Sequence, residues 1–314
     1  MKEFGVLVPI VTPCTRAGEI DTEGLKSVCT YMIQAGCNAI FVGGSTGRGP
    51  WFSRTHRAAA CSAVAKVIGP QVPLLAGCMA SGLTEMLEIS RLNADAGAQI
   101  AVITAPGYFT YGQQEVESIF LRFADASPLP VMIYDIPSFA GIKLDAGLVN
   151  RLAHHGRVIG FKDSTGDRER FHHLLGALAD LPDFYMLQGK EHLLEESLRA
   201  GASGFVVSLV HIDPRPFVAL YSAARAGDTK RAGEFQTRIT EILDLVNASI
   251  SRRPETSTFF HFLNECLRAH GVCPNIVLEH EGPCPAWLAE NARKAMEIAK
   301  SAGELASLKA HSPR

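Results

Sequence analysis

The sequence predicts an α/β protein, a (β/α)8 TIM barrel with a C-terminal helical extension. Three observations carry that prediction. Short apolar runs rich in β-branched residues recur eight times along the chain, amphipathic segments lie between them, and strand signals stop after about residue 230 while helical periodicity continues. The runs read as continuously apolar rather than alternating. That pattern belongs to parallel strands covered on both faces, and eight such units are enough to close a ring. An open doubly wound sheet is the alternative, but no G-x-G-x-x-G follows the first strand.

Taken in order, strands are predicted at 6–11, 39–42, 74–77, 100–104, 131–135, 158–162, 185–188 and 204–208. The helical segments between them are exemplified by "TEMLEISRLNADAGA", in which Met86, Leu87, Ile89 and Leu92 form one stripe while Glu85, Glu88 and Arg91 lie elsewhere. Gly97 supplies its stop signal. The barrel is assigned to residues 1–230 and a helical appendage packed on it to 231–314, with "AGEFQTRITEILDLVNASI" and "PAWLAENARKAMEIAKSAG" as its clearest helices. The final "LASLKAHSPR" is expected to fray.

Bulk composition narrows the function classes. The 314 residues are 47% hydrophobic and 20% charged, and 30 basic and 32 acidic residues are interspersed to a formal charge of -2. Such a balance leaves no footprint for nucleic acid or for a membrane surface. Eight cysteines without a single C-x-x-C read as reduced thiols, hence a reducing compartment. The N-terminal "MKEFGVLVPIVTPC" lacks the apolar core of a secretory signal, and no apolar run approaches the roughly 18 to 20 residues of a membrane span. A cytoplasmic location is therefore expected.

Chemistry in such barrels sits where strands end, so polar residues directly after apolar runs are the candidates. The sixth run ends in "GFKDSTGD", residues 160–167, placing Lys162 at the end of a buried strand. An ammonium enclosed without a partner neutralises instead, and a neutral amine is a nucleophile that condenses with a ketone to an imine. Bringing a lysine from about 10.4 to about 7 or 8 takes roughly 4 kcal/mol, which desolvation supplies. A surface cation paired with Asp163 is the alternative for a lone lysine. The second run opens into "GGSTGR", whose glycines let backbone N–H groups turn inward beside the hydroxyls of Ser45 and Thr46, making a cradle for a carboxylate, or simply a tight turn. The fifth run ends in "IYDIP", projecting Tyr134 or Asp135 at the mouth, and the fourth in "TAPGYFTYG", whose Tyr108 and Phe109 lie on a loop. The histidine pairs at 154–155 and 172–173 lack the spacing of a metal site, and the cysteines of "NECLRAHGVCPNIVLEHEGPC" lack that of a zinc module, so no metal is expected.

In these residues the sequence resembles the pyruvate-dependent class I aldolases of the dihydrodipicolinate synthase and N-acetylneuraminate lyase family. The likeness runs in order through "GVLVPIVTPC", "GGSTG", "APGYF", "YDIP", "GFKDSTGD" and "GASGFVVS". It implies a Schiff-base lysine at Lys162, a proton-relaying tyrosine at Tyr134, the paired hydroxyl residues at Ser45 and Thr46, and at Tyr108 a tyrosine lent to a neighbouring subunit, hence a homodimer or homotetramer. Substrate contacts are expected from Thr46, Gly47, Phe139, Ser164, Glu191, His192, Ser208 and His211. No cofactor is expected beyond the covalent imine, and the partners are a small 2-keto acid and an aldehyde.

The departures from the family pattern concern the acceptor. Arg48 stands for the usual glutamate, Asp135 for asparagine, and His211 for the asparagine of many members. Phe139 stands where synthases acting on aspartate semialdehyde carry an arginine, and a phenyl ring cannot pair with a carboxylate. The specificity loop therefore looks more like that of N-acetylneuraminate lyase, although of the three residues Lys190, Glu191 and His192 only Glu191 keeps the character of those that hold a polyhydroxy tail. Dihydrodipicolinate synthase, a 2-keto-3-deoxy sugar acid dehydratase or aldolase, and a non-catalytic keto-acid-binding protein are the alternatives.

Overall fold

The computed structural model of the protein describes residues 2–15, 17–273 and 275–308. Eight parallel strands close into a barrel in sequence order: β1 (Gly5–Pro9), β2 (Ala39–Val42), β3 (Leu74–Gly77), β4 (Ile100–Ile103), β5 (Val131–Asp135), β6 (Val158–Asp163), β7 (Tyr185–Gln188) and β8 (Gly204–Val206). β8 pairs back onto β1 with Gly204 opposite Gly5. Each strand lies within the stretch expected for it or differs from it by a residue or two. The first ends at Pro9 rather than Val11, because Val11 N–H donates to His211 instead of to a strand, and beyond Val206 the chain winds into a 3-10 turn at Ser208–His211.

The crossover helices are α1 (Thr22–Gln34), α2 (Arg54–Ile68), α3 (Leu83–Asp95), α4 (Gln113–Ala126), the short α5 (Pro137–Ala140) with α6 (Ala146–Ala153), α7 (Arg168–Ala177), α8 (Leu194–Arg199) and α9 (Arg215–Arg225). In α3 the expected stripe is half right. Met86 and Ile89 are fully buried, whereas Leu87 and Leu92 are half-buried and Ser90 and Asn93 take the inner face. Ser90 accepts burial because its hydroxyl bonds that of Ser127 on the neighbouring connection. Gly97 follows the helix at φ 100°, a conformation that favours glycine.

Strand alternation divides the apolar residues into two layers. Leu7, Ala39, Phe41, Leu75, Val102 and Leu187 fill the barrel, and the opposite faces of the same strands pack against the helices in the outer core. That outer core continues into three further helices, α10 (Thr229–Arg252), α11 (Thr256–Ala269) and α12 (Ala286–Leu308), through Ile239, Ile242, Leu263, Leu267 and Leu288. Of the final stretch expected to fray, 305–308 are still helical and the remainder lies outside the described residues. Among the described residues no helix is long and apolar enough to cross a membrane.

Candidate active site

β5 and β6 pair with Tyr134 opposite Lys162 and Asp135 opposite Asp163. Successive strand residues face opposite ways, so the first pair enters the barrel and the second leaves it. Lys162 is 4% exposed, with Nζ 3.8 Å from the centroid of the Tyr134 ring and 5.3 Å from that of Phe41. No carboxylate among the described residues forms an ion pair with it, and Glu191 acts only at longer range. Burial therefore dominates and lowers its pKa from 10.5 to about 7, while Glu191 works in the opposite sense. Near neutral pH a large share of this amine is unprotonated.

Burial pushes the Tyr134 phenol up to about 12, opposed by the Ser164 and Ser45 hydroxyls beside its oxygen. The phenol stays protonated at any ordinary pH. It is a proton donor poised next to an amine, with two hydroxyls to pass the proton on.

The turn after β2 supplies the second half of the site. Gly49 N–H donates to Gly44 O at 3.0 Å and Arg48 N–H to Ser45 O at 3.1 Å, which folds residues 44–49 into a tight loop. A Cβ at Gly49 would stand 1.9 Å from Gly43 O, so only glycine permits this approach. Thr12, at the end of the first strand's extension, donates its hydroxyl to Gly47 O at 2.6 Å, and Thr46 Oγ1 lies 2.6 Å from Ser208 Oγ. No acceptor among the described residues takes the Ser45 or Thr46 amide. Two amides without an acceptor, a hydroxyl at the Tyr134 phenol and a bonded hydroxyl pair have the hydrogen-bonding chemistry a carboxylate needs.

Other candidate residues are placed less uniformly. Ser164 and Glu191 stand around the amine and phenol. The Glu191 carboxyl is raised above the usual carboxylate range by burial, against the pull of backbone N–H groups that include Leu209 and Ser208. His192 is exposed, and the structure does not bring it to the amine. Phe139 is 73% exposed on α5, and Tyr108 is 90% exposed at φ 81° with its ring edge-on to Phe109. Neither touches the amine in its own chain.

His211 corrects an expectation. It is fully buried, its Nε2 accepts from Val11 N–H at 3.2 Å, and its Nδ1 donates to Ser208 O at 2.8 Å. Both ring nitrogens are committed to backbone, so no nitrogen is left for substrate. Burial lowers its pKa to about 4 and keeps the ring neutral, as this pattern of one donor and one acceptor requires. It is a clasp between the first and last strands' extensions.

Asp135 likewise does not project into the mouth. It points out of the barrel, where Arg170 of α7 reaches its Oδ2 at 2.8 Å and Asp163 Oδ2 at 2.6 Å, and also donates to Leu144 O. Thr12 and Arg170 were not singled out from the sequence. Thr12 had a usable signal, a hydroxyl residue directly after an apolar run; Arg170 had none, being one of many helix-surface arginines until the fold brings it inward.

A family model described as the Dihydrodipicolinate synthetase family matches residues 2–266. The 4-hydroxy-tetrahydrodipicolinate synthase 1 of Streptomyces coelicolor is 31% identical over 245 residues, which are 77% of this chain and 78% of that one. Among solved structures, the dihydrodipicolinate synthase of Bacteroides thetaiotaomicron superposes with a TM-score of 0.82 at 27% identity, covering 96% of this chain and 99% of that one. The sialic acid aldolase of Ruminococcus gnavus reaches a TM-score of 0.87 at 20% identity over 97% and 99% of the two chains, a likeness of fold. A family match over most of the length settles the membership: this chain belongs to the dihydrodipicolinate synthetase family and is an enzyme of the aldolase type.

Proposed function

We propose that Lys162 forms an imine with pyruvate or a related 2-keto acid, and that the enzyme then makes or breaks the carbon–carbon bond to an aldehyde. The observation that carries the reading is the buried, unpaired amine 3.8 Å from the Tyr134 ring centroid, with its pKa near 7. The neutral amine attacks the keto carbon and water leaves. In cleavage the protonated imine accepts the electron pair of the breaking carbon–carbon bond while the substrate hydroxyl gives up its proton and becomes the aldehyde. In synthesis the imine first loses a proton from its methyl carbon, and the resulting enamine gives its electron pair to the aldehyde carbon, whose oxygen takes up a proton. Tyr134 hands its proton to the departing oxygen and recovers it through Ser45. The Ser45 and Thr46 amides hold the keto-acid carboxylate. Tyr108, exposed here, serves the relay of a neighbouring copy.

For the acceptor, the neutral Phe139 on α5 and the carboxyl of Glu191 favour an uncharged, hydroxyl-bearing aldehyde, on the side of sialic acid aldolase. The names of the relatives favour the synthase reading instead. Borohydride reduction with pyruvate tests the chemistry: a mass adduct on the peptide that contains Lys162 is expected, and an unmodified lysine there would refute it. A panel of 2-keto acids and pyruvate–aldehyde pairs tests the acceptor. Efficient consumption of aspartate semialdehyde would overturn the Phe139 argument and leave the imine intact.

A further inference from the structure

The turn that presents Ser45 and Thr46 is anchored from an unexpected quarter. Arg48 adopts φ 53° and ψ 33°, a left-handed backbone that side-chain-bearing residues rarely take, and its side chain is only 9% exposed. It does not enter the barrel. Its guanidinium lies 3.5 Å from the centroid of Phe260 on α11, and one Nη2 reaches both carboxylate oxygens of Glu281 at 2.9 Å.

Glu281 ends a 3-10 turn, Glu279–Glu281, between α11 and α12, and its Oε2 also accepts from Leu278 N–H at 2.7 Å. The same connection reaches the barrel loops three more times. Trp51 stacks on His280 at 5.1 Å between centroids, Asn275 exchanges hydrogen bonds with the backbone of Cys14, and Leu278 packs with Cys14, Phe52 and Ile20 in a small separate core. The linker between the last two helices is thus buckled onto the loops that follow β1 and β2.

We infer that Arg48 is a positioning residue: through Glu281 it ties the 44–49 turn to the C-terminal helices and so holds the Ser45 and Thr46 amides in the geometry that receives the keto-acid carboxylate. Arg48 touches no reacting atom. It leaves the turn two residues after Thr46, in a conformation that would relax if its side chain were not clamped. Because the pair is nearly dry, each member depends on the other for its charge to be tolerated. The inference rests on the keto-acid reading for what the turn binds, but not for what holds the turn.

Two measurements test it on the full chain. In the first, borohydride trapping at Lys162 is followed against pyruvate concentration for the native protein, Arg48→Met, Glu281→Gln and the double variant. Half-saturating pyruvate should rise roughly tenfold in each single variant, as a small misplacement of a binding group would cause. The fraction trapped at saturation should stay unchanged, and the double variant should be no worse than the more affected single, since the pair acts as a unit. Half-saturation within about twofold of native in both singles would overturn the inference. Glu281→Gln keeps an acceptor for Leu278 N–H, so it reports on the turn even if Arg48→Met folds poorly.

The second measurement uses no keto acid: hydrogen exchange of the Arg48 and Gly49 amides, which close the turn. Their protection should fall in both variants, and unchanged protection would overturn the inference on its own. Failure of the native protein to trap pyruvate would sink the proposed function, and exchange would then decide the role of Arg48 separately.

Discussion

Tyr134 and Lys162 face each other inside the barrel, and one residue further along the same two strands Asp135 and Asp163 face each other outside it. Both places are almost dry. Lys162 is 4% exposed, and Asp135 and Asp163 are each 1% exposed. Inside, a cation is left without a counter-ion and answers by losing its proton. Outside, two carboxylates share one guanidinium, and Asp163 Oδ1 also accepts from the amide and hydroxyl of Thr165. Even so, burial and the like charge of Asp163 outweigh Arg170 at Asp135, whose pKa rises from 3.8 to about 7. The same low polarity yields an uncharged amine where pairing is withheld and a structural clamp where it is supplied.

The two groups load stability from opposite ends of the pH scale. Lys162 has a folded pKa below its unfolded one, so folding penalises its charged form. That cost is complete below about pH 7 and vanishes as pH rises toward 10.5. Asp135 has a folded pKa above its unfolded one. Its cost is complete above about pH 7 and vanishes as pH falls toward 3.8.

The sharpest way to break the comparison is Lys162→Met. Turnover should fall by at least about 10⁴-fold and borohydride trapping should vanish, while the protein becomes more stable by up to a few kcal/mol. Thermal melts should show that gain at pH 6 and little of it near pH 10. A variant less stable than native at pH 6 would mean that the amine is paired after all.

Arg170→Met tests the other side. It leaves two buried carboxylates uncompensated, and urea titration should register a loss of about 3 to 5 kcal/mol. A loss below about 1 kcal/mol would show the cluster to be hydrated and of little consequence.

Tyr134→Phe keeps the ring over Lys162 and removes only the proton donor. Turnover should drop about 10²- to 10³-fold while trapping survives. The midpoint of imine formation should stay near pH 7, as read from trapping against pH, since desolvation and not the hydroxyl sets the lysine. A shift toward pH 10 would hand that role to the phenol.

Asp135→Asn should have the smallest effect near pH 5, within about 1 kcal/mol of native, because the amide oxygen still accepts from Leu144 N–H. Its stability relative to native should improve as pH rises from 5 to 8, through the window in which Asp135 ionises. An opposite slope in paired melts would show that Arg170 outweighs burial.

What was legible in the sequence follows the range of the signal. Eight strands could be read because each is a local run, and Lys162 could be singled out because its run stays apolar up to the residue before it. Tyr134 and Asp135 could not be told apart as to which faces inward, since a continuously apolar strand carries no alternation to mark its faces. The choice is made by register, which pairs Tyr134 with Lys162. His211 looked available for substrate because nothing local marks its two backbone partners, one of them 200 positions away. The same holds for Arg48 and Glu281, separated by 233 positions, one of which read as a substituted mouth residue while the other lay in a stretch read only for its cysteines.

By itself, then, the sequence determined the alternation of strand and helix, the place of the amine at a strand end and the glycine-bracketed hydroxyls after another, because backbone preference and burial act over a few residues. Tertiary structure alone decided which buried charges are paired. Ion pairing depends on atoms within a few ångströms, and only closure of the barrel and docking of the last helices bring Arg170 to two aspartates and Glu281 to Arg48, while leaving Lys162 with the faces of two aromatic rings.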